Sequence, residues 1–209
     1  MRTAIRATLT AAAAAAAVST LAAGTALAEP VHAADHQITW KLDDGATATV
    51  SSTGEVINKV PPLTTAGTTR EGFATLTAST SVAGATPGTV GTLVTGYQIG
   101  CMASFQGVGI GANATVGIGG TAGTGGGSLG PNASIGPSIT VNLGPGEITD
   151  VPLGKKSMVG PDATIRVRNA HIKVDGCIGP VTARSYTTVQ LSTPASDDGN
   201  TVYGTPIGL

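Results

Sequence analysis

An all-β chain is predicted, a sandwich-like head drawn from both ends of the sequence with one long hairpin between them, and three observations predict it. The stretch Gly107 to Gly120 alternates with a period of two. Val108, Ile110, Ala112, Ala114, Val116 and Ile118 fall on one parity, and Gly107, Gly109, Gly111, Asn113, Thr115, Gly117 and Gly119 on the other. That period describes a strand with one apolar and one uncharged polar face. The 75 residues from 72 to 146 hold no Asp, Glu, Lys, Arg or His, whereas soluble surfaces are usually about a quarter charged. On either side of that span charge returns, with short alternating runs bounded by Gly, Pro, Asn and Asp, as in ordinary strands and turns.

At the start, Arg2 and Arg6 precede a weakly hydrophobic, alanine-rich run from Ala7 to Leu27 that closes on Ala26-Leu27-Ala28. This is the pattern of a secretory signal over residues 1–28, cleaved at an A-x-A site. An uncleaved anchor fits less well, because alanine contributes little to insertion. Removing residues 1–28 takes away two of the 11 basic residues and none of the 12 acidic ones, leaving 181 residues with a net charge of −3. A chain of that balance, 3% aromatic, has neither the basic excess nor the stacking surface of a nucleic-acid binder. No second apolar run is long enough for a membrane-spanning helix.

Two cysteines are present, Cys101 and Cys177. An exported chain meets an oxidising compartment, so a disulfide is expected over the rival of two buried thiols. Such a bond would close a loop of 76 residues. The chain-entropy model values that closure at about 4.5 kcal/mol as an upper figure.

Along the chain, Ile38 to Leu42 and Ala46 to Val50 flank Asp43-Asp44-Gly45, a hairpin signal. Pro61-Pro62 interrupts, and Thr68-Thr69-Arg70-Glu71 carries the last charges before the neutral span. The return half of that span runs from Leu129 to Leu143. Its odd positions are Leu129, Pro131, Ala133, Ile135, Pro137, Ile139, Val141 and Leu143, and its even positions Gly130, Asn132, Ser134, Gly136, Ser138, Thr140 and Asn142. A disordered Gly/Ser linker shares this composition but not this alternation. The unit reads as a hairpin stem over 96–146, with a flexible tip at 121–128 and the head formed by 29–95 and 147–209. Arms of about 15 residues exceed the roughly 9 to 11 that a tilted strand needs to cross hydrocarbon. Apolar-out and polar-in at period two is the mark of a transmembrane barrel strand. On that reading Gly107, Gly109, Gly111, Asn113, Thr115, Gly117, Asn132, Ser134, Ser138, Thr140 and Asn142 line a watery lumen. Val108, Ile110, Val116, Ile118, Ile135, Ile139 and Val141 face lipid. Pro131 and Pro137 withhold backbone donors, so irregular pairing is expected there.

Past Gly144-Pro145-Gly146, Ile165 to Arg168 and His171 to Val174 alternate, Val181 to Leu191 reads as a strand, and Asp197-Asp198-Gly199-Asn200 reads as a turn. Sharper motifs weigh little. Gly117 to Ala122 spells G-x-G-x-x-A without the helix a dinucleotide site needs. His32, Asp35 and His36 lie beside the new N-terminus, where a mobile, solvated segment is expected rather than a metal site. His171 near Asp175 and Ser185 lacks a nucleophile elbow and is read as structural. Arg166, Arg168 and Lys173 are read as a solvated face, and the two N-x-[ST] triplets at Asn113 and Asn132 carry no role. No catalytic residue, cofactor or metal is assigned.

At Gly96-Tyr97-Gln98-Ile99-Gly100 the sequence resembles the MspA family, the outer-membrane porins of mycolic-acid-containing actinobacteria. Gly107 to Ile110, Asn169-Ala170-His171 and Thr201-Val202-Tyr203-Gly204-Thr205-Pro206 match further elements in order, so the likeness covers most of the mature chain. The resemblance implies a rim domain and a shared barrel in which each of eight subunits contributes one hairpin. It also implies outer-membrane lipid around the stem and passive diffusion of small hydrophilic solutes and ions, with no enzymatic activity. The tip departs from the family pattern: residues 121–128 carry none of the acids that favour cations in well-studied members, which implies weak selectivity. The cysteine pair resembles that of a subset of relatives. A secreted, non-conducting wall protein of the same family, or a partner of a paralogous conducting subunit, is the alternative. An extracellular hydrolase lacks a convergent acid, base and nucleophile.

Overall fold

The computed structural model describes residues 29–104, 115–116, 120–121, 138–142 and 146–209, and the pieces lying between 104 and 146 through their backbone alone. The export signal expected over 1–28 lies outside the described residues. Among those residues there is no helix, and the strands are β1 (Glu29–His32), β2 (His36–Lys41), β3 (Thr47–Val60), β4 (Arg70–Ala83), β5 (Val90–Ser104), β6 (Thr115–Val116), β7 (Gly120–Thr121), β8 (Ser138–Asn142), β9 (Ile148–Met158), β10 (Asp162–Asp175), β11 (Cys177–Ser192), β12 (Asp197–Tyr203) and β13 (Ile207–Gly208). They form two sheets. One has the order β1-β3-β4-β10-β8-β6-β7, with β2 also on β3, and the other β12-β11-β5-β9, with β13 on β11. The all-β class is the one that the alternation predicts.

The core lies where the apolar parities of the two sheets meet. Val50, Ile57, Leu76, Val167 and Ile172 come from the first sheet, and Leu93, Tyr97, Ile99, Val151, Val189 and Leu191 from the second, all buried in one cluster. In β4 and β11 buried and accessible residues alternate along most of the strand, as one sheet face packed on a core requires. The Asp43-Asp44-Gly45 signal is a turn. Leu42 N–H donates to the Ala46 carbonyl at 2.9 Å, and Gly45 supplies the positive φ of 85° that the bend needs. Asp44 Oδ1 accepts from the Ala46 N–H at 3.0 Å and Oδ2 from the Thr86 hydroxyl at 2.7 Å, tying two loops together. These bonds, Thr86 first, hold the Asp44 carboxyl below its ordinary pKa.

Three sequence expectations are corrected. The turn expected at Asp197 to Asn200 is the start of β12, with Asp197 opposite Ser192. The chain instead reverses at Thr193 to Ser196, where the Thr193 Oγ1 accepts from the Ser196 N–H at 2.9 Å and Thr193 N–H donates to the Ser196 carbonyl at 2.8 Å. A threonine side chain that captures the backbone makes the turn earlier than the Asp-Gly signal suggested. The N-terminal histidines sit on paired strands rather than a loose tail, since β1 and β2 both pair with β3 and Asp35 Oδ1 accepts from the Gly54 N–H at 2.8 Å, while His32 and Asp35 stay exposed to solvent. Residues 96–104, grouped with the stem, continue β5 within the head, where Tyr97, Ile99 and Cys101 are buried.

Within that last stretch Gly96 stands where β9 bulges against β5. A Cβ there would collide with the Val151 carbonyl and come 2.8 Å from the Pro152 Cα, both backbone atoms. At Gly100 the nearest atom to an added Cβ is the end of the Ile148 side chain, 3.8 Å away. Gly96→Ala is therefore expected to destabilise the head by about 1–3 kcal/mol. Gly100→Ala is expected to stay within about 0.5 kcal/mol of the parent. Urea unfolding of the two variants checks the contrast.

Candidate functional site

The neutral span leaves and rejoins the head at one place. Ser104, the last residue of β5, lies opposite Cys177, and Ile148, the first of β9, lies opposite Gly100. Both arms therefore root at the same end of the second sheet. The described pieces of the arms pair antiparallel, Thr115 opposite Thr140 and Val116 opposite Ile139. The foot of the second arm also meets the first sheet: β8 runs parallel to β10, from Ser138 opposite His171 to Asn142 opposite Asp175. Of the residues expected to line or flank a passage, the structure thus brings together the backbones at Thr115, Val116, Ser138, Ile139, Thr140, Val141 and Asn142. Gly107, Gly109, Gly111, Asn113, Gly117, Asn132 and Ser134, with Val108, Ile110, Ile118 and Ile135, lie outside the described residues.

The root is braced covalently. Cys101 and Cys177 form the expected disulfide, with Cα atoms 5.9 Å apart, and both are buried. It joins β5 to β11 where their register slips between Ile178 and Val181. The Cys177 N–H donates to the Thr68 carbonyl at 2.9 Å, so the β3–β4 loop is held to the same point.

Around it, charge is spent in pairs. The Thr69 hydroxyl donates to Asp175 Oδ1 and Lys173 Nζ to Asp175 Oδ2, each at 2.8 Å. His171 Nε2 meets Glu71 Oε2 at 3.2 Å, and its ring stacks on Phe73 with centroids 4.9 Å apart. His171 thus has the structural role expected of it. Glu71 and Phe73 were not singled out as its partners, nor Thr69 as that of Asp175, and no spacing could have done so, because each lies about a hundred residues from the group it touches. The Arg70 Nη1 donates to the Gly67 and Thr69 carbonyls at 2.7 and 2.9 Å. Deeper in the head is a second polar centre that no motif marked. Ser185 Oγ donates to the buried Glu55 Oε2 at 2.6 Å, and Gly204 packs so closely that a Cβ would strike the Ser185 hydroxyl. The buried Tyr97 hydroxyl lies beside that carboxylate, short of hydrogen-bond geometry. Burial first, and the Glu55 charge second, push its pKa up, so it stays a neutral phenol.

Burial disfavours the charged form of Asp175, but the hydrogen bonds from Lys173 and Thr69 outweigh it and hold the carboxyl below its ordinary pKa. With the folded pKa below the unfolded value of about 3.9, this stabilisation is complete above that value and is lost as pH falls through the folded pKa. Asp175→Asn should therefore be less stable than the parent at pH 6. The difference should close as the pH drops below about 4, as thermal unfolding across pH will read.

The MspA family model matches residues 44–208, a span that opens in the β2–β3 turn and ends in β13. Porin MspD of Mycolicibacterium smegmatis is 32% identical over 191 residues, covering 85% of this chain and 88% of that protein. The matched span takes in every described strand from β3 to β13 and leaves out β1 and β2, and the chain belongs to the MspA family.

Proposed function

We propose that the chain is a channel-forming subunit of an outer-membrane porin. Its hairpin joins those of further copies in a closed barrel, and small hydrophilic solutes and ions diffuse through with weak selectivity. The observation that carries the reading is the register of the arms. It sets the two polar-parity threonines, Thr115 and Thr140, opposite each other, and the two apolar-parity residues, Val116 and Ile139, opposite each other. Directly opposed residues of an antiparallel pair share a sheet face. One two-residue step of pairing is thus consistent with a ribbon that is apolar on one side and polar on the other throughout its charge-free length.

The barrel requires several chains. Two strands leave outer edges whose N–H and C=O groups find no partner in hydrocarbon, and closure takes at least about eight strands. Family membership and identity to a porin support a homo-oligomer, and we take eight copies as the working number. The proposed lumen wall is Gly107, Gly109, Gly111, Asn113, Thr115 and Gly117 on the first arm and Asn132, Ser134, Ser138, Thr140 and Asn142 on the second. Val108, Ile110, Val116, Ile118, Ile135, Ile139 and Val141 meet lipid. Selectivity filters are built from rings of charge or from constrictions. These positions offer small neutral groups, and the tip at 121–128 holds no acid. The export signal at 1–28 would deliver the chain to the outer membrane.

Purified protein in a planar bilayer should conduct alone and show a reversal potential near zero in a salt gradient. Conductance only after addition of a paralogous subunit would favour a hetero-oligomer, and no conductance at all a wall protein. Gly125→Asp combined with Gly126→Asp should then move the reversal potential towards the cation limit. An unchanged potential would place the tip away from the passage.

A further inference from the structure

Among the described residues the head has seven exposed large apolar side chains, and four of them lie at the stem-root end. Leu63 is 92% exposed, Ile148 67%, Met102 64% and Ile178 40%. Ile148 opens β9 opposite Gly100, and Ile178 lies opposite Ala103 beside the disulfide. The Met102 methyl covers Gly179, where an added Cβ would stand 2.7 Å from it. Leu63 rides the β3–β4 loop behind Pro61-Pro62, and that loop is pinned to this end by the bond from Cys177 to Thr68. Several charges here are internally engaged, Glu71 with His171, Lys173 with Asp175, and Arg70 with two carbonyls, while Asp150 two residues along β9 from Ile148 is exposed.

The far end of the head is different. Asp43 and Asp44 in the β2–β3 turn, Asp162 at the start of β10, and Asp197 and Asp198 at the start of β12 gather there. Apolar exposure at that end is Val159, 98% exposed, and Val90, set among those acids. The far end therefore carries charge of both signs, with Lys41, Lys155 and Lys156 exposed beside its acids, and the root end carries four of the exposed large apolar side chains.

We propose that the apolar end is a membrane-seating collar, in which Leu63, Met102, Ile148 and Ile178 rest among the headgroups and upper acyl chains of the outer-membrane lipid. The inference rests on the porin reading above. Its occupant follows from continuity: both arms of the charge-free span leave the head inside this ring, at Ser104 and Ile148, so whatever surface the stem enters is the first surface the ring meets. Large apolar side chains partition favourably into the interfacial layer, and acids at the other end are held away from it. The collar would set the depth at which the stem stops entering the bilayer.

The protein has one tryptophan, Trp40, so a Trp40→Phe background allows single probes. Leu63→Trp and Val159→Trp place equally exposed reporters at opposite ends, and Ile178→Trp gives a second reporter in the ring. Each full-length variant is reconstituted into phosphatidylcholine vesicles with acyl chains brominated close to the headgroup, and into unbrominated ones. The collar predicts loss of fluorescence at 63 and 178 on bromination and no loss at 159. No loss at 63 and 178 overturns it, as does equal loss at 159. A blue-shifted emission at 63 without bromine quenching also overturns it, by showing that a second copy of the chain covers the ring. Conductance of the same vesicles reports the porin reading separately, since quenching at 63 without conductance would sink that reading and keep the collar.

Discussion

A strand that enters hydrocarbon must find a protein partner for every backbone N–H and C=O, because no water is there to take the bond. That single requirement organises the porin proposed here. Among the described residues β8 has β6 on one edge and β10 on the other, and β6 has β7 beyond it, but wherever a two-stranded ribbon enters hydrocarbon its outer edges stay open. Neighbouring copies must supply the rest. Glycine, which weakens an isolated strand through backbone entropy and a missing side chain, is tolerable in such a ribbon because pairing on both edges restrains it, and it keeps the inner face small.

The head answers a different need, holding the two ends of that ribbon at one spot. β5 and β9 are hydrogen-bonded neighbours up to the point where the stem departs, and β11 on the other side of β5 is locked to it by the Cys101–Cys177 bond. The β3–β4 loop and the foot of β8 gather at the same end, around Thr68, Thr69 and the last residues of β10. Further in, Glu55 is buried with Ser185 and beside Tyr97. Burying a carboxylate is costly unless it is bonded, and this one links β3 to β11 across the two sheets.

How much of this could be read in the chain depended on range. Alternation is local, so the sheets of the head and the Asp44-Gly45 hairpin were legible. The disulfide followed from compartment and count. The boundary between head and stem did not, because a strand with one face in a protein core and a strand with one face in lipid carry the same period. Only the switch of apolar side chains from odd positions at Tyr97, Ile99 and Cys101 to even ones from Val108 onward marks the join. The parallel pairing of β8 with β10 joins segments some thirty residues apart and leaves no periodic trace. The irregularity near Asn169, which takes a positive φ of 49° where β10 slips against β4, hides inside two runs that alternate well on either side. The partners of His171 and Glu55 are likewise set by sheet register, which no single segment encodes.

The most direct test of the account is cysteine accessibility along the two arms of the assembled protein, with the native pair left oxidised. Thr115→Cys and Thr140→Cys should react with a charged, water-soluble thiol reagent and reduce the current, while Val116→Cys and Ile139→Cys should resist it and react only with a lipid-soluble one. The reverse pattern, or equal reaction at all four, would contradict a ribbon that divides water from lipid.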